Sequence, residues 1–272
     1  MTARQLRTGL AVLGTATLLA ACGGGETDTP AAEGETGGFD LVSDGTLTAC
    51  SDVPYPPFEV EDTSAPSGYS GFDIDLLQAI ADDLGLELAV EDVSFDALQS
   101  GTVLAAGQCD LGASAITITE DRQANLDFAE PYYDSLQSLL VPADSGIESI
   151  EDLEGRTVGV QQGTTGKTYT EENAPEGTEI VEYPSDGELW PALQAGQIDA
   201  ILQDLPVNIV HTQDDDSFVV VEEYATDESY GFALSKDGNP ELLDAINESL
   251  AGLREDGTYQ EIYDSYFATD AS

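Results

Sequence analysis

GFDIDLLQAIADDLGLEL, residues 71–88, reads as a helix that runs straight into a strand. Ile74, Leu77, Ile80, Ala81 and Leu84 recur at helical spacing, which predicts an amphipathic helix. Asp73 and Asp75 fall in its first turn, where carboxylates complement the helix dipole. Gly85 supplies the stop, and Leu86 to Val90 reads as a strand. The same device returns twice. LAAGQCDLGA (104–113) and LQAGQIDAIL (193–202) share Leu-x-Ala-Gly-Gln-x-Asp. Each predicts a helix that ends at a glycine, Gly107 or Gly196, with a strand beginning one or two residues later. The echo points to two similar α/β lobes.

The rest of the chain extends this pattern. Leu47 to Ser51 predicts a short strand, and DVPYPPFEV after it, with its three prolines, a rigid loop that presents Tyr55 and Phe58. Ser67 to Ser70 reads as a turn. YYDSLQSLLVP (132–142) predicts a long strand. SIEDLEGRTVGVQQGTTGKTY predicts a short helix, a strand over Thr157 to Gln161, a glycine turn and a new helix. SYGFALSK (229–236) reads as one strand, and the end of the chain as two helices about a turn at Asp256-Gly257. Strands alternating with helices indicate mostly parallel sheets covered on both faces.

The 272 residues hold 54 acids and only seven lysines and arginines, for a formal net charge of −47. Such a chain repels nucleic acids and anionic membrane surfaces, so neither is expected as a partner. The acids spread along the whole chain, which favours a solvated acidic surface suited to high salt over a patch for a cationic partner. Residues 1–22 read as a secretory signal peptide: Arg4 and Arg7, a short apolar run, then LAAC ending at Cys22. That ending resembles a lipobox, which implies lipidation of Cys22. Residues 23–43 read as a flexible acidic tether. Export into an oxidising compartment and an even number of remaining cysteines favour a Cys50–Cys109 disulfide over two buried thiols. One histidine, His211, and no Cys-x-x-Cys argue against a metal site, and no cofactor is expected. His211 lies beside the acidic run HTQDDDS and is expected to be exposed, with Trp190 packing a helix of the second lobe.

In open α/β sheets, ligands bind beyond the carboxyl ends of the strands. Four places qualify: the loop with Asp52 and Tyr55, the stretch ASAITITEDR (113–122), the QQGTT turn, and Gln203-Asp204. Arg122 offers a planar fork that matches a carboxylate. The turn Gly163-Thr164-Thr165 opens a helix whose free N–H groups favour an anion. Asp204 ends an apolar strand, where a carboxylate needs a cationic partner. Tyr55 and Phe95 add flat apolar walls. An anion clamp, a cation acceptor and aromatic walls together describe an α-amino acid. Each residue has a plainer alternative: Arg122 paired with Glu120 or Asp121, Asp204 as a cap, Tyr55 and Phe95 as core, and the glycine turn as an ordinary helix start.

GFDIDLLQAIADDL resembles the signature of the bacterial extracellular solute-binding proteins of the polar amino acid type, family 3. The resemblance continues, in order, through SDVPYPPFE, SFDAL, ASAITITEDRQANLDFAEPYY, GRTVGVQQGTT, AGQIDAILQDLP and REDGTYQEIYDSYF, over residues 44–267. One departure is a longer segment between Phe95 and Asp110. The resemblance implies a two-lobed periplasmic-binding-protein-like fold of type II, each lobe a mostly parallel sheet flanked by helices, joined by a two-strand hinge. Residues 44–140 with 231–269 would form lobe 1 and residues 141–230 lobe 2. It implies that Arg122 holds the ligand carboxylate and Asp204 the ammonium. Ala115 (through its carbonyl), Thr117 and the Thr165 N–H, in the turn that starts at Gly163, assist. Tyr55 and Phe95 sandwich the side chain, and Asp52, Ser114, Gln161 and Gln203 set selectivity.

Asp52 suits a cationic tip, the two glutamines suit an amide, and no second cation waits for an acidic side chain. The expected function is therefore the substrate-binding subunit of an amino acid ABC importer. It is expected to take a basic or polar neutral amino acid and to be lipid-anchored on the outer face of the cytoplasmic membrane. A monomer is expected, with ABC permease subunits as partners. Two other functions fit the fold: a cyclohexadienyl or arogenate dehydratase-like enzyme, and a stand-alone amino acid sensor. No base beyond Asp52 and Asp204 is evident for the enzyme.

Overall fold

The computed structural model describes residues 38–268. The expected signal peptide, Cys22 and most of the expected tether lie outside them. At the near end of that tether, Phe39 and Leu41 pack against the first core, and the Val42 N–H donates to Asp110 Oδ1 at 2.7 Å. The fold thus takes up the last few residues read as linker.

The chain starts with β1 (Thr46–Ser51), buried almost throughout, then the small hairpin β2 (Val60–Glu61) and β3 (Tyr69–Ser70). α1 (Phe72–Asp83) follows and buries Ile74, Leu77, Ile80 and Ala81, the stripe that the spacing marks out. β4 (Glu87–Asp92), the short helices α2 (Phe95–Gln99) and α3 (Thr102–Ala105), β5 (Leu111–Gly112), α4 (Glu120–Gln123) and β6 (Leu126–Phe128) complete the first pass. β7 (Tyr133–Pro142) carries the chain into a second sheet. There it forms a 3₁₀ turn (Ile150–Leu153), β8 (Thr157–Gln161), α5 (Thr165–Asn173), β9 (Glu179–Tyr183), α6 (Asp186–Gln194), β10 (Ala200–Asp204) and α7 (Leu205–Asp214). β11 (Phe218–Tyr230) leads back, and β12 (Ala233–Ser235), α8 (Pro240–Asp256) and α9 (Thr258–Phe267) close the first lobe.

The first sheet has the order β4-β1-β5-β12-β6 and the second β11-β7-β10-β8-β9. Both are mixed, which corrects the expectation of mostly parallel sheets. β1 pairs in parallel with β4 and β5, but β12 runs against β5 and β6. β8 pairs in parallel with β9 and β10, but β7 runs against β10 and β11. The chain enters the second sheet through β7 and leaves through β11, so these two must run in opposite directions. Their long antiparallel pair is the two-strand hinge. For the same reason SYGFALSK is not one strand. Tyr230 still pairs with Tyr133 in the hinge, while Ala233 already pairs with Phe128 in the first sheet.

The second sheet is covered on both faces, and its strand parity shows how. Leu139, Val141, Val158, Val160, Ala200 and Leu202 enter one core; Leu140, Ile201, Leu189 and Leu193 enter the other. Neighbouring residues of β7 and of β10 point to opposite sides, as a pleated strand requires. The two Ala-Gly-Gln units prove equivalent in detail. Gly107 and Gly196 close their helices with φ of 69° and 68°. Asp110 accepts from the Thr48 N–H at 2.7 Å while its own N–H donates to the Thr48 carbonyl. Asp199 makes the same pair of bonds with Thr157. In each lobe one aspartate thereby fixes the start of a parallel strand against its neighbour. The strands begin four residues after each glycine, later than expected, because this aspartate bracket comes first. Cys50 and Cys109, beside the first bracket, are joined by a disulfide with Cα atoms 5.7 Å apart.

Candidate functional site

The carboxyl ends of β1, β5, β8 and β10 converge on one pocket between the sheets. It is lined by Asp52, Tyr55, Phe95, Ser114, Ala115, Thr117, Arg122, Gln161, Thr164, Thr165 and Asp204. Ten of the twelve residues expected at the site meet there. Gly163 and Gln203 do not line it, and Thr164 does. The hydroxyl of Thr164 caps α5 by accepting from the Lys167 N–H at 3.1 Å. That role was readable in QQGTT, because a threonine one residue before a helix is a favoured cap.

Arg122 is 5% exposed and does not pair with Glu120 or Asp121. Thr119 caps α4 by accepting from the Arg122 backbone N–H, which turns the side chain inward. Its Nη1 donates to the Thr117 carbonyl at 2.8 Å, its Nη2 to the Gly163 carbonyl at 3.0 Å, and the guanidinium lies 5.3 Å from the Phe95 ring centre. Gly163 therefore serves the site through its carbonyl. Burial pulls Arg122 down to about 10, against the pull of Asp204 and Glu228, so it stays charged at neutral pH. A guanidinium carries five donors, so these two contacts leave others for a carboxylate.

Asp204, 8% exposed, faces it from the second lobe. The Tyr55 hydroxyl donates to Asp204 Oδ2 at 2.7 Å, and Gln137 Nε2 donates to Oδ1. Burial, with Glu228 next, raises Asp204 to about 6, and burial with Asp204 holds Tyr55 far above its ordinary value as a neutral donor. At the other end, Gln161 Nε2 donates to Asp52 Oδ2, and burial lifts Asp52 to about 7. Ser114 accepts from the Asp52 N–H at 3.1 Å and donates to Glu59. Asp52–Gln161, Tyr55–Asp204 and Arg122–Gly163 all span the two lobes, so the polar groups of the cleft are matched across it.

The loop after β5 owes its shape to α1. Asp73 Oδ2 accepts from the Ala115 N–H at 2.8 Å and from the Tyr132 hydroxyl at 2.7 Å, which holds Ala115 at a φ of 46°. A left-handed alanine costs about 1 kcal/mol, and a buried hydrogen bond to the Asp73 carboxyl offsets that. Asp73 is thus more than a dipole partner. Asp75 likewise accepts from Tyr266 of α9.

Two expectations need correction. His211 is buried, not exposed: its Nε2 lies 3.0 Å from Asp186 Oδ1, and its ring stacks on Trp190 at 4.3 Å. The acidic run begins only at Asp214, the last residue of α7, while His211 one turn earlier is held against Asp186 and Trp190 of α6. Gln203 donates to Asp186 and Asn208, both at 3.0 Å, and belongs to that same buried network behind the cleft. Among the described residues no cluster suited to a metal occurs, and no helix is long and apolar enough to cross a membrane.

Two α/β lobes on a double-strand hinge, with charged side chains from both meeting in the cleft, make this a periplasmic-binding-protein fold of type II. The chain belongs to the bacterial extracellular solute-binding proteins, family 3, whose profile matches residues 47–269. It is 31% identical over 232 residues to the L-cystine-binding protein TcyJ of Escherichia coli (strain K12), spanning 84% of this chain and 85% of the relative. Among solved structures, an ancestral arginine-binding protein bound to glutamine superposes with a TM-score of 0.77 at 33% identity, covering 84% of this chain and 100% of that one. The ancestral amino acid-binding protein AncCDT-1, a precursor of cyclohexadienyl dehydratase, gives 0.74 at 35% identity, covering 82% and 96%.

Proposed function

We propose that this protein is the substrate-binding subunit of an amino acid ABC importer. It captures a free basic or polar neutral L-amino acid between its lobes and hands it to the permease. In this reading residues 44–140 and 231–269 act as one lobe and 141–230 as the other, tethered to the outer face of the cytoplasmic membrane through a lipid on Cys22. The observation that carries it is the opposition of Arg122 and Asp204, both buried, from different lobes of one pocket walled by Tyr55 and Phe95. Arg122 takes the α-carboxylate and Asp204 the α-ammonium, and a ligand that bonds to both lobes shifts the hinge towards the closed form.

Asp52 and Gln161 receive the side-chain tip. Among the described residues Arg122 is the one cation lining the pocket, against Asp52 and Asp204, so acidic side chains are disfavoured. Calorimetric titration with the twenty amino acids tests the proposal, and wild-type protein that binds none of them ends it. Arg122→Ala and Asp204→Ala are each expected to weaken binding about a hundredfold or more, since each strands a buried charge. Affinity unchanged in either variant overturns the site. The raised Asp52 and Asp204 carboxyls also suit a general acid, the chemistry a dehydratase requires. Turnover of prephenate or arogenate is the outcome that would favour the enzyme instead.

A further inference from the structure

Glu228 lies on hinge strand β11 and is 9% exposed. Between Tyr224, opposite Gln137, and Glu228, opposite Ser135, β11 bulges by two residues relative to β7. Asp227 within the bulge has a φ of 52°. A one-residue shift also lies between Val220 and Glu222, but it is this wider bulge that aims Glu228 at the cleft. Its Oε2 accepts from three donors: Thr117 Oγ1 at 3.3 Å, Thr165 Oγ1 at 3.1 Å and Gln137 Nε2 at 3.0 Å. Thr117 comes from the first lobe, Thr165 from the second and Gln137 from the other hinge strand. Both threonines line the pocket; Glu228 does not.

We propose that Glu228 is the positioning residue of the α-ammonium subsite, which it prepares by fixing which way the hydroxyls of Thr117 and Thr165 point. The proposal rests on the amino acid reading above. A carboxylate only accepts, so each hydroxyl gives its single proton to Glu228 and turns lone pairs towards the pocket. An ammonium has three donors and no acceptor, and so needs several oxygens facing it. Asp204 supplies some. Gln137 Nε2 bridges Asp204, Glu228 and the Thr165 hydroxyl, which places all of them at one end of the pocket. With Glu228 in place, that end presents acceptors alone. Without it the hydroxyls are free to turn their protons inward, against the ammonium.

The test compares ligands that differ only in the α-amino group. Wild type and Glu228→Gln are titrated with L-arginine and with δ-guanidinovalerate, its desamino analogue, and with L-glutamine and glutaramate, its desamino analogue. Weak analogues are measured by competition. The expected result is about a tenfold loss for the amino acid that wild type binds, with its desamino partner changed less than about twofold. Equal losses for both would mean that Glu228 only supports closure, and no loss for either would mean that it does nothing; both overturn the proposal. If wild type binds neither, the amino acid found by titration with all twenty and its desamino analogue take their place, and only binding of none of the twenty brings down the reading beneath, which separates the two failures. If Glu228→Gln does not fold by thermal melting, Thr117→Val takes its place and must show the same selective loss, while Thr117→Ser must retain binding.

Discussion

Asp52 makes the pocket sensitive to pH in a way that depends on the ligand. Burial holds its carboxyl at about 7, with the Gln161 bond as a smaller opposing pull. A cationic side chain placed against it favours the ionised form and lowers that value. Binding a basic amino acid near pH 6 must then expel a proton, and above about 7 there is no proton left to expel. Affinity for L-arginine or L-lysine is therefore expected to climb from pH 5 towards 7, by up to about tenfold per pH unit through Asp52 and more steeply below about 6, where Asp204 against the α-ammonium also sheds a proton, and then level off. Asparagine at position 52 should cut the slope back to the part that Asp204 contributes. An amide ligand such as L-glutamine has no positive tip, and its affinity should climb only below about pH 6, through Asp204 against its α-ammonium. Isothermal titration at pH 5, 6, 7 and 8 separates the two ligand classes, and a basic ligand that binds well but climbs no more than L-glutamine would remove Asp52 from the side-chain subsite.

At the scale of elements, much of the fold was readable because it rests on short-range pattern. Helical spacing marked α1, and the Ala-Gly-Gln-x-Asp echo marked equivalent halves down to the matched Asp110 and Asp199 bonds. The residues at strand ends were readable too, since strand ends in α/β sheets face the cleft. What escaped depends on contacts far apart in the chain. Glu228 is one acid among 54, and nothing local distinguishes it; its importance comes from a bulge that pairing geometry alone creates. His211 and Gln203 were misplaced because their partner Asp186 is supplied by a different helix. The switch of sheets inside SYGFALSK left only Gly231 as a hint. Gly71, which opens the stretch quoted first, has a meaning beyond a turn signal. Its φ is 125°, and a Cβ there would sit 2.2 Å from the Phe58 carbonyl oxygen, against backbone that cannot move aside cheaply. Gly71→Ala is therefore expected to destabilise by about 3 kcal/mol or more in chemical denaturation, well beyond an ordinary surface change. It should also loosen the loop carrying Tyr55. A shift under about 1 kcal/mol would show that the α1 start can rearrange.

Over the whole molecule, the charge imbalance sets the conditions under which it is stable. Its few cations settle little of the charge: Arg156–Asp199, Lys167–Glu182 and Lys236–Asp127 are largely exposed pairs that water and salt screen. The remaining acids repel one another, and several are buried besides. Asp52 and Asp73 are held near 7 and Asp204 near 6 by burial, and Glu59 well above the ordinary range by burial and then by Asp73. For each of these the folded state binds a proton more tightly than the unfolded chain. Their contribution to stability is thus fullest below about pH 4 and drains away as pH rises towards 7. Surface repulsion grows in the same direction as carboxylates ionise. Salt acts on the second effect and barely on the first. Raising ionic strength from 0.1 to 1 M shortens the screening length from about 10 Å to about 3 Å, which quiets exposed charges but not buried ones. The melting temperature at pH 7.5 is therefore expected to rise clearly between 0.1 and 1 M potassium chloride. At pH 5 it should start higher and gain less. A melting temperature indifferent to salt at pH 7.5 would show that the acidic surface does not limit stability, and one that increases from pH 5 to pH 7.5 at high salt would show that the buried carboxyls have better partners than the cleft and α1 provide.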